Sequence, residues 1–385
     1  MDLWLPLMIS LILPAVAGAS PGRDVEELVR VRVEKSVKDI TLAGQGLRFI
    51  GDTAPVDLLR QSRWNLRWSS TRHHWQIDEV GGEERRLTLR GPVLEVRGQF
   101  LRGPRQAYPE RLSLRARGGG FAIVATMNLR DYLTGVVAHE MPPKWPLETL
   151  KAQTVAARSY ALAVRESRRG ESWDLEATVE DQVFRYDPDK IEEWALVREA
   201  VKSTDGLILL DPDRRVLKAY YHADCGGRTV DSARVWGGDP GMGVAVDESC
   251  PVSPAAQWSL RLTWRELTAR LAKNLQGLRV LGLSLVPSLA DGRVIGVDVR
   301  TPAGVKRLNA NEFRLSVGAA ELRSTNFDWK ESDGGLEFRG RGFGHGVGLC
   351  QWGSQVMGKK GETAEKILSH YYPKARLSAP VSKRN

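Results

Sequence analysis

Hydrophobic and polar positions alternate with a period of two from Val25 to about Phe100, in runs such as VRVRVEKSV, TLAGQGLRFI and RRLTLRGPVLEVRG. Gly and Pro punctuate these runs, so the segment predicts short antiparallel strands with one wet face. RLSLRARGGGFAIVATMNL continues the pattern as a hairpin closed at Gly118 to Gly120, and its second strand leads into a helix start at Asp131-Tyr132-Leu133. The period then changes. Pro142, Pro143 and Pro146 stop any helix from running through residues 141–146, and Pro146 with Glu148 suits the first turn of a new helix over Leu147 to Val164. On that helix Lys151, Thr154 and Arg158 fall along one stripe; Ala152, Val155, Ser159 and Leu162 form another, able to pack closely against a neighbour.

Further on, the pattern predicts a helix over Ile191 to Ser203 and a hairpin of Leu207 to Leu210 with Val216 to His222, turning at Asp211-Pro212-Asp213. An amphipathic helix over Trp264 to Leu278 follows, then a hairpin of Val294 to Arg300 with Val305 to Leu308 and a short helix over Ala310 to Leu315. A strand over Leu336 to Gly342 delivers a glycine-rich loop, Glu362 to Tyr371 form a closing helix, and Ser378 to Asn385 are expected to fray. Irregular mixing of strands and helices predicts an α+β fold, mainly antiparallel and β-rich, with a central helix after the Glu-Met-Pro turn. The expected organisation is a leader (1–19), a β-rich N-terminal accessory region (20–100), a catalytic domain (101–377) and a tail (378–385).

Composition adds little to the class but narrows the partners. The apolar run Leu3 to Val16, followed by Ala17-Gly18-Ala19, has the form of a signal peptide, so the chain is expected to be exported to the periplasm or cell envelope. At about 15 residues it is short for a bilayer span of roughly 20, although its weak n-region leaves an uncleaved anchor open. The formal net charge of +9 favours an anionic partner such as a wall polymer. No Walker loop, dinucleotide fingerprint or nucleic-acid module occurs, so no nucleic-acid partner is expected.

One carboxylate stands out. Glu140 lies in HEMPPKW, with Met141, Trp145 and the prolines able to form an apolar pocket that would raise its pKa toward the range of a general acid. Most glycosidases use two carboxylates. No convincing second one is evident: Glu148 suits a capping role, Asp131 a helix start, and Asp224 and Asp231 flank turns. His345, in GFGHGVGLCQWG, is flanked by glycines that permit close backbone approach, and Gln351 and Trp352 add an amide and a stacking face. A buried His in a tight corner is the plainer alternative.

The segment VVAHEMPPKWPLETLKAQTVAARSYAL closely resembles the SpoIID/LytB family, marked by a Glu-Met-Pro turn, a Trp and a helix of this composition. LRDYLTGVVAHE upstream matches as well, with Arg130 where an acid is usual; YHADCGGRT, LRSTNF and GFGHGVGLCQWG follow in the family's order. The resemblance implies a peptidoglycan lytic transglycosylase that cuts between N-acetylmuramic acid and N-acetylglucosamine on glycan strands stripped of peptides, with Glu140 catalytic. Trp145, Lys151, Arg158, His345, Gln351 and Trp352 would bind substrate; Lys151 and Arg158 could equally hold the Glu-Met-Pro turn in place. Other members resemble non-catalytic enhancers of a cell-wall amidase, so an enhancer or glycan-binding wall protein stays open as the alternative.

No cofactor is expected for the chemistry. Cys225 and Cys250 suit a disulfide in an oxidising compartment. Some family members resemble zinc proteins with His and Cys near this position, which leaves a zinc site at His222, Cys225 and Cys250 as the other reading. Cys350 reads as a small buried hydrophobe.

Overall fold

The computed structural model describes residues 27–378, apart from 59, 83–84, 239–242, 248–252, 254–255, 288–292 and 333–334. The leader and Cys250 lie outside the described residues.

The alternating segments do form strands: β1 (Leu28–Val37), β2 (Asp39–Ile50), β3 (Val56–Leu58), β4 (Ser62–Ser69), β5 (His74–Glu79), β6 (Arg86–Arg90), β7 (Val93–Arg102), β8 (Arg111–Arg117) and β9 (Gly120–Asn128). With the two-residue β10 (Leu175–Glu176) they build one sheet in the order β10-β1-β9-β8-β7-β2-β4-β5-β6, with β3 on β2. Every ladder is antiparallel except β1 with β10. Register follows the apolar face: Leu66 lies opposite Ile77 and Trp68 opposite Trp75, because a slip of one residue would turn these rings into water. The predicted hairpin closes at Gly118, whose φ of 58° is one that glycine adopts without strain.

Chain direction changes where β9 meets α1 (Leu129–Glu140). Asn128 caps α1 by accepting from the Asp131 amide at 2.7 Å. After the proline turn, α2 (Leu147–Ser167) runs one turn past the predicted end and is buried on most sides. Its small residues Ala152, Ala156, Ala157 and Ala161, all buried, let four neighbours approach: α1, α3 (Ala195–Ser203), and, from the far end of the chain, α7 (Gln351–Lys359) and α8 (Ala364–Tyr371).

Short pairings stitch the ends of this body together. β11 (Ile208–Leu210) pairs with β20 (Arg376–Ser378), and β12 (Tyr221–His222) runs parallel to β19 (Leu349–Cys350); α4 (Ser232–Trp236) follows β12. The expected hairpin at Asp211 is therefore reduced to a tight turn with a single bridge, Leu210 to Val216, and Ser378 is paired rather than frayed.

A second apolar cluster, sharing no residue with the first, is built from residues 258–340. β13 (Trp258–Thr263), β17 (Phe327–Ser332) and β18 (Gly335–Gly340) form one sheet; β14 (Gly282–Pro287), β15 (Val294–Thr301) and β16 (Gly304–Asn309) form another; α5 (Trp264–Arg270) and α6 (Ala310–Val317) complete it. The helix expected over Trp264 to Leu278 begins at a capping box of Thr263 and Glu266 but ends at Arg270, continuing as turns up to Gly277. Likewise, the helix expected from Ile191 starts at Ala195, after a 3₁₀ turn at Pro188–Lys190. The architecture is α+β, with mostly antiparallel sheets around a central helix.

Candidate functional site

Glu140 is the last residue of α1, where the prolines end the helix and turn the chain toward α2. Its carboxylate is half-buried and held from three directions. The Val183 amide donates to Oε1 at 2.9 Å, the Gln351 side-chain amide approaches Oε2 at 3.5 Å, and the Tyr221 hydroxyl hydrogen-bonds the same carboxyl group. Burial pushes the carboxyl's pKa up, while these three donors pull in the opposite direction; burial prevails.

The orientation of Tyr221 is fixed by a chain of bonds. The Tyr132 hydroxyl donates to Gln182 Oε1 at 3.0 Å, which leaves the Gln182 amide to donate to the Ala157 carbonyl at 3.2 Å and the Tyr221 oxygen at 2.9 Å. With its oxygen accepting from Gln182, Tyr221 has its proton for Glu140. Tyr132 is buried and Tyr221 partly so, and desolvation holds both pKa values well above the ordinary range, so neither competes as an acid near neutrality.

The described carboxylates Asp181 and Glu148 are engaged with cations and amides of their own. Asp181, beside Gln182 in sequence, is ion-paired with Arg168 at 2.6 Å and accepts from the Glu176 amide at 2.8 Å. Glu148 bridges Lys151 at 2.7 Å and the Ala364 amide at 2.8 Å, which ties α2 to the start of α8. Burial works against its ionisation, but these partners hold its pKa below the usual carboxylate value.

The aromatic residues divide into two groups. Trp145 and Trp352, both half-buried, meet edge to face at 5.0 Å, beside the turn that carries Glu140 and the helix that carries Gln351. His345 lies elsewhere, among Tyr220, Trp236 and His222 with ring centroids 5.9, 5.1 and 5.5 Å away. Strand alternation explains the division: Tyr221 points to Glu140, so Tyr220 and His222 point to the other side. His345 accepts from the Val347 amide at 3.0 Å, and burial, with His222 nearby, holds its pKa well below that of a free imidazole. The glycines of its loop have steric reasons: a side chain at Gly348 would sit 2.0 Å from the Tyr220 carbonyl, and one at Gly342 2.7 Å from that of Asp224.

Of the cationic stripe, Lys151 is engaged with Glu148. Arg158 is 2% exposed and donates to the Thr204 and Leu207 carbonyls at 2.7 and 3.0 Å, with burial lowering its pKa to about 10. Its partners close the turn between α3 and β11 instead of bordering the Glu140 carboxylate. His139 bonds the Gly135 carbonyl at 2.8 Å and packs on Trp194, facing away from Glu140. Tyr221, Gln182 and the Val183 amide were not singled out in the sequence; Tyr221 opens the YHADCGGRT segment, whereas nothing in the local pattern marks Gln182.

Among the described residues, His222, Cys225 and Cys350 could hold a metal: their ligand atoms lie within 4.8 Å of one another and all three side chains are buried. His222 Nδ1 lies 3.1 Å from the Val347 carbonyl, a contact that leaves Nε2 on the coordinating side. The Cys225 and Gly353 amides donate to Cys350 Sγ at 3.3 and 3.4 Å. A nitrogen and two sulfurs suit a soft divalent ion such as zinc. Cys350, expected only as a hydrophobe, thus joins His222 and Cys225, while the expected pairing of Cys225 with Cys250 falls outside the described residues.

The profile of the SpoIID family (stage II sporulation protein) matches residues 117–210, the stretch from the β8–β9 hairpin through β11. An uncharacterized protein of Brachyspira hyodysenteriae (strain ATCC 49526 / WA1) is 32% identical over 255 residues, covering 65% of this chain and 66% of the relative. Stage II sporulation protein D of Bacillus subtilis (strain 168) is 28% identical over 269 residues, 66% of this chain and 76% of the relative. The amidase enhancer of the same organism is 26% identical over 298 residues, 64% of this chain but 40% of its own length. The matched stretch contains α1, the proline turn, α2, Gln182 and Val183, and through it the chain carries a SpoIID-family domain.

Proposed function

We propose that this protein is an exported cell-wall enzyme that cleaves peptidoglycan glycan strands as a lytic transglycosylase. The observation that carries the reading is a half-buried carboxyl group of raised pKa, held by three donors, while the described carboxylates Asp181 and Glu148 are ion-paired with Arg168 and Lys151. A wall-related role is supported by the relatives, a sporulation protein and an amidase enhancer. Hydrolysis by the usual routes needs two carboxylates; intramolecular displacement needs one. Protonated Glu140 gives its proton to the oxygen linking muramoyl C1 to the next sugar, and that C1–O bond breaks. The carboxylate then takes the proton of the muramoyl 6-hydroxyl as that oxygen bonds to C1, leaving a 1,6-anhydro end and a protonated Glu140.

Trp145 and Trp352 offer ring edges and faces for sugar stacking beside the acid. A metal held by His222, Cys225 and Cys350 would be structural, since it would be closed off behind β12 and β19, with Cys350 adjoining the Gln351 that contacts Glu140. The leader at Leu3 to Val16 is the support for export.

The test is digestion of purified glycan strands, with and without peptide stems, followed by mass spectrometry of the ends. The native protein is expected to release anhydromuramoyl products from peptide-free strands, and Glu140→Ala and Glu140→Gln to release none, with rates down by at least roughly 10²-fold. The second reading, an amidase enhancer, has the 26% identical relative in its favour. It would be preferred if the native protein released no product but raised the turnover of a wall amidase, and if Glu140→Gln did so equally.

A further inference from the structure

A cleft of about 840 Å³ lies apart from Glu140, between the loop after β12 and the β13-β18-β17 sheet. Arg228, Arg293, Arg339 and Arg341 line it, against Asp328 and Glu337. Arg293 is buried and donates to the Cys225 and Arg228 carbonyls, the latter at 3.0 Å, so it braces the loop from below. Arg339 pairs with Glu337 at 3.0 Å; Lys330 and Arg261 approach the same carboxylate at 3.4 and 3.6 Å. Glu337 is thereby neutralised. Arg228 and Arg341 are different: both are exposed, and neither guanidinium makes an ion pair with a described residue.

A further feature suits an oxygen-rich anion. Trp258, 8% exposed, forms part of the cleft wall, and its indole N–H has no acceptor among the described residues. Gly340 lets that ring pack directly against its strand, since a side chain there would lie 2.2 Å from the ring. The cleft also adjoins the glycine-rich loop by chain continuity, because Arg341 precedes Gly342, and the Phe343 amide and carbonyl pair with Asp224 at 2.8 and 2.9 Å.

We infer that Arg228 and Arg341 form an accessory subsite for carboxylates of the glycan strand, taking the lactyl carboxylate of a muramoyl residue other than the one at Glu140. The inference rests on the glycan-strand reading above. A strand without peptides carries one such carboxylate per disaccharide, and a guanidinium binds a carboxylate through two parallel N–H bonds. Pairs of this kind would hold a long strand while Glu140 acts on one bond, and would select against uncharged polysaccharides.

The experiment measures equilibrium binding by the full-length Glu140→Gln protein, so that strands stay intact. Its ligands are peptide-free glycan strands, the same strands with carboxyl groups reduced to alcohols, chitohexaose, and poly(glycerol phosphate). Arg228→Gln with Arg341→Gln is expected to weaken binding of carboxylated strands roughly ten-fold or more and flatten its salt dependence, while leaving reduced strands and chitohexaose unchanged. Arg67→Gln with Arg117→Gln, on the N-terminal sheet, controls for overall charge and should bind normally. The indole N–H resonance of Trp258 is expected to move with the carboxylated ligand only.

Equal losses for charged and reduced strands, an equal loss in the control pair, or no strand binding at all would overturn the inference; a loss confined to poly(glycerol phosphate) would reassign the cleft to a phosphate polymer. Cleavage by the native protein is scored separately. Arginine-dependent binding without cleavage would keep the subsite and remove the transglycosylase; cleavage with arginine-independent binding would do the reverse.

Discussion

At the scale of single residues, Glu140 is set by two opposing influences: burial raises its pKa, and hydrogen bonds to its ionised form lower it. Tyr221 is the donor whose removal leaves the packing most nearly intact, because phenylalanine keeps the ring. Losing a hydrogen bond to the anion costs the ionised form about 1 kcal/mol, equivalent to roughly 0.7 pH unit. Since the first step of the proposed cleavage needs the protonated acid, activity should fall as pH rises through this pKa, and in Tyr221→Phe that alkaline limb should move upward by about half to one unit. A pH profile of strand cleavage checks this; a limb that stayed fixed or moved toward acid would show that Tyr221 does not stabilise the carboxylate. Gln182 acts one step further away, by fixing which atom of Tyr221 carries the proton toward Glu140.

Elements meet at the site through α7. Cys350 caps it, Gln351 reaches Glu140, and Thr149 on α2 donates to the Ser354 carbonyl at 2.9 Å. Gly353 is where this helix has no spare room: a methyl group there would lie 1.9 Å from Asp247 Oδ2 and 2.1 Å from the Tyr371 hydroxyl, which are themselves joined by a 2.6 Å hydrogen bond. Gly353→Ala should therefore overpack the junction and break a buried bond, costing about 3 kcal/mol. Urea denaturation compares it with Gly119→Ala, in the open β8–β9 turn, which should be near neutral. If the two variants unfolded at the same urea concentration, α7 would not be held as rigidly as its contacts imply.

For the whole molecule, the two apolar clusters with no residue in common suggest regions able to loosen separately. Phe313 is fully buried in the second cluster, and Phe313→Ala should cost that cluster about 3–5 kcal/mol. Hydrogen exchange should then quicken in β13, β15 and β18 while α2 keeps its protection. Equal loss of protection in α2 would make the chain one cooperative unit. The Arg293 bonds to the loop after β12 are a link by which the second cluster can still reach the region of His345.

Local sequence was enough for features with local causes. Alternation with period two marked the strands of the large sheet, the prolines at 142, 143 and 146 separated α1 from α2, and HEMPPKW with the helix after it pointed to Glu140 and to the family. Boundaries were less legible where turns follow a helix without a breaker, as after Arg270, and where a strand's partner is remote, as for β11 with β20. The surroundings of Glu140 depend on separation along the chain: Val183 is 43 positions away and Gln351 is 211. Cys350 likewise meets Cys225 across 125 positions through the parallel pairing of β12 with β19. The sequence by itself determined which residue types are present and where helices and strands start, because propensity, periodicity and steric exclusion act over a few residues. Only the tertiary structure decided which donors face the carboxyl group, how deeply it is buried and therefore in which direction its pKa moves, because burial and hydrogen bonding depend on which distant segments pack together.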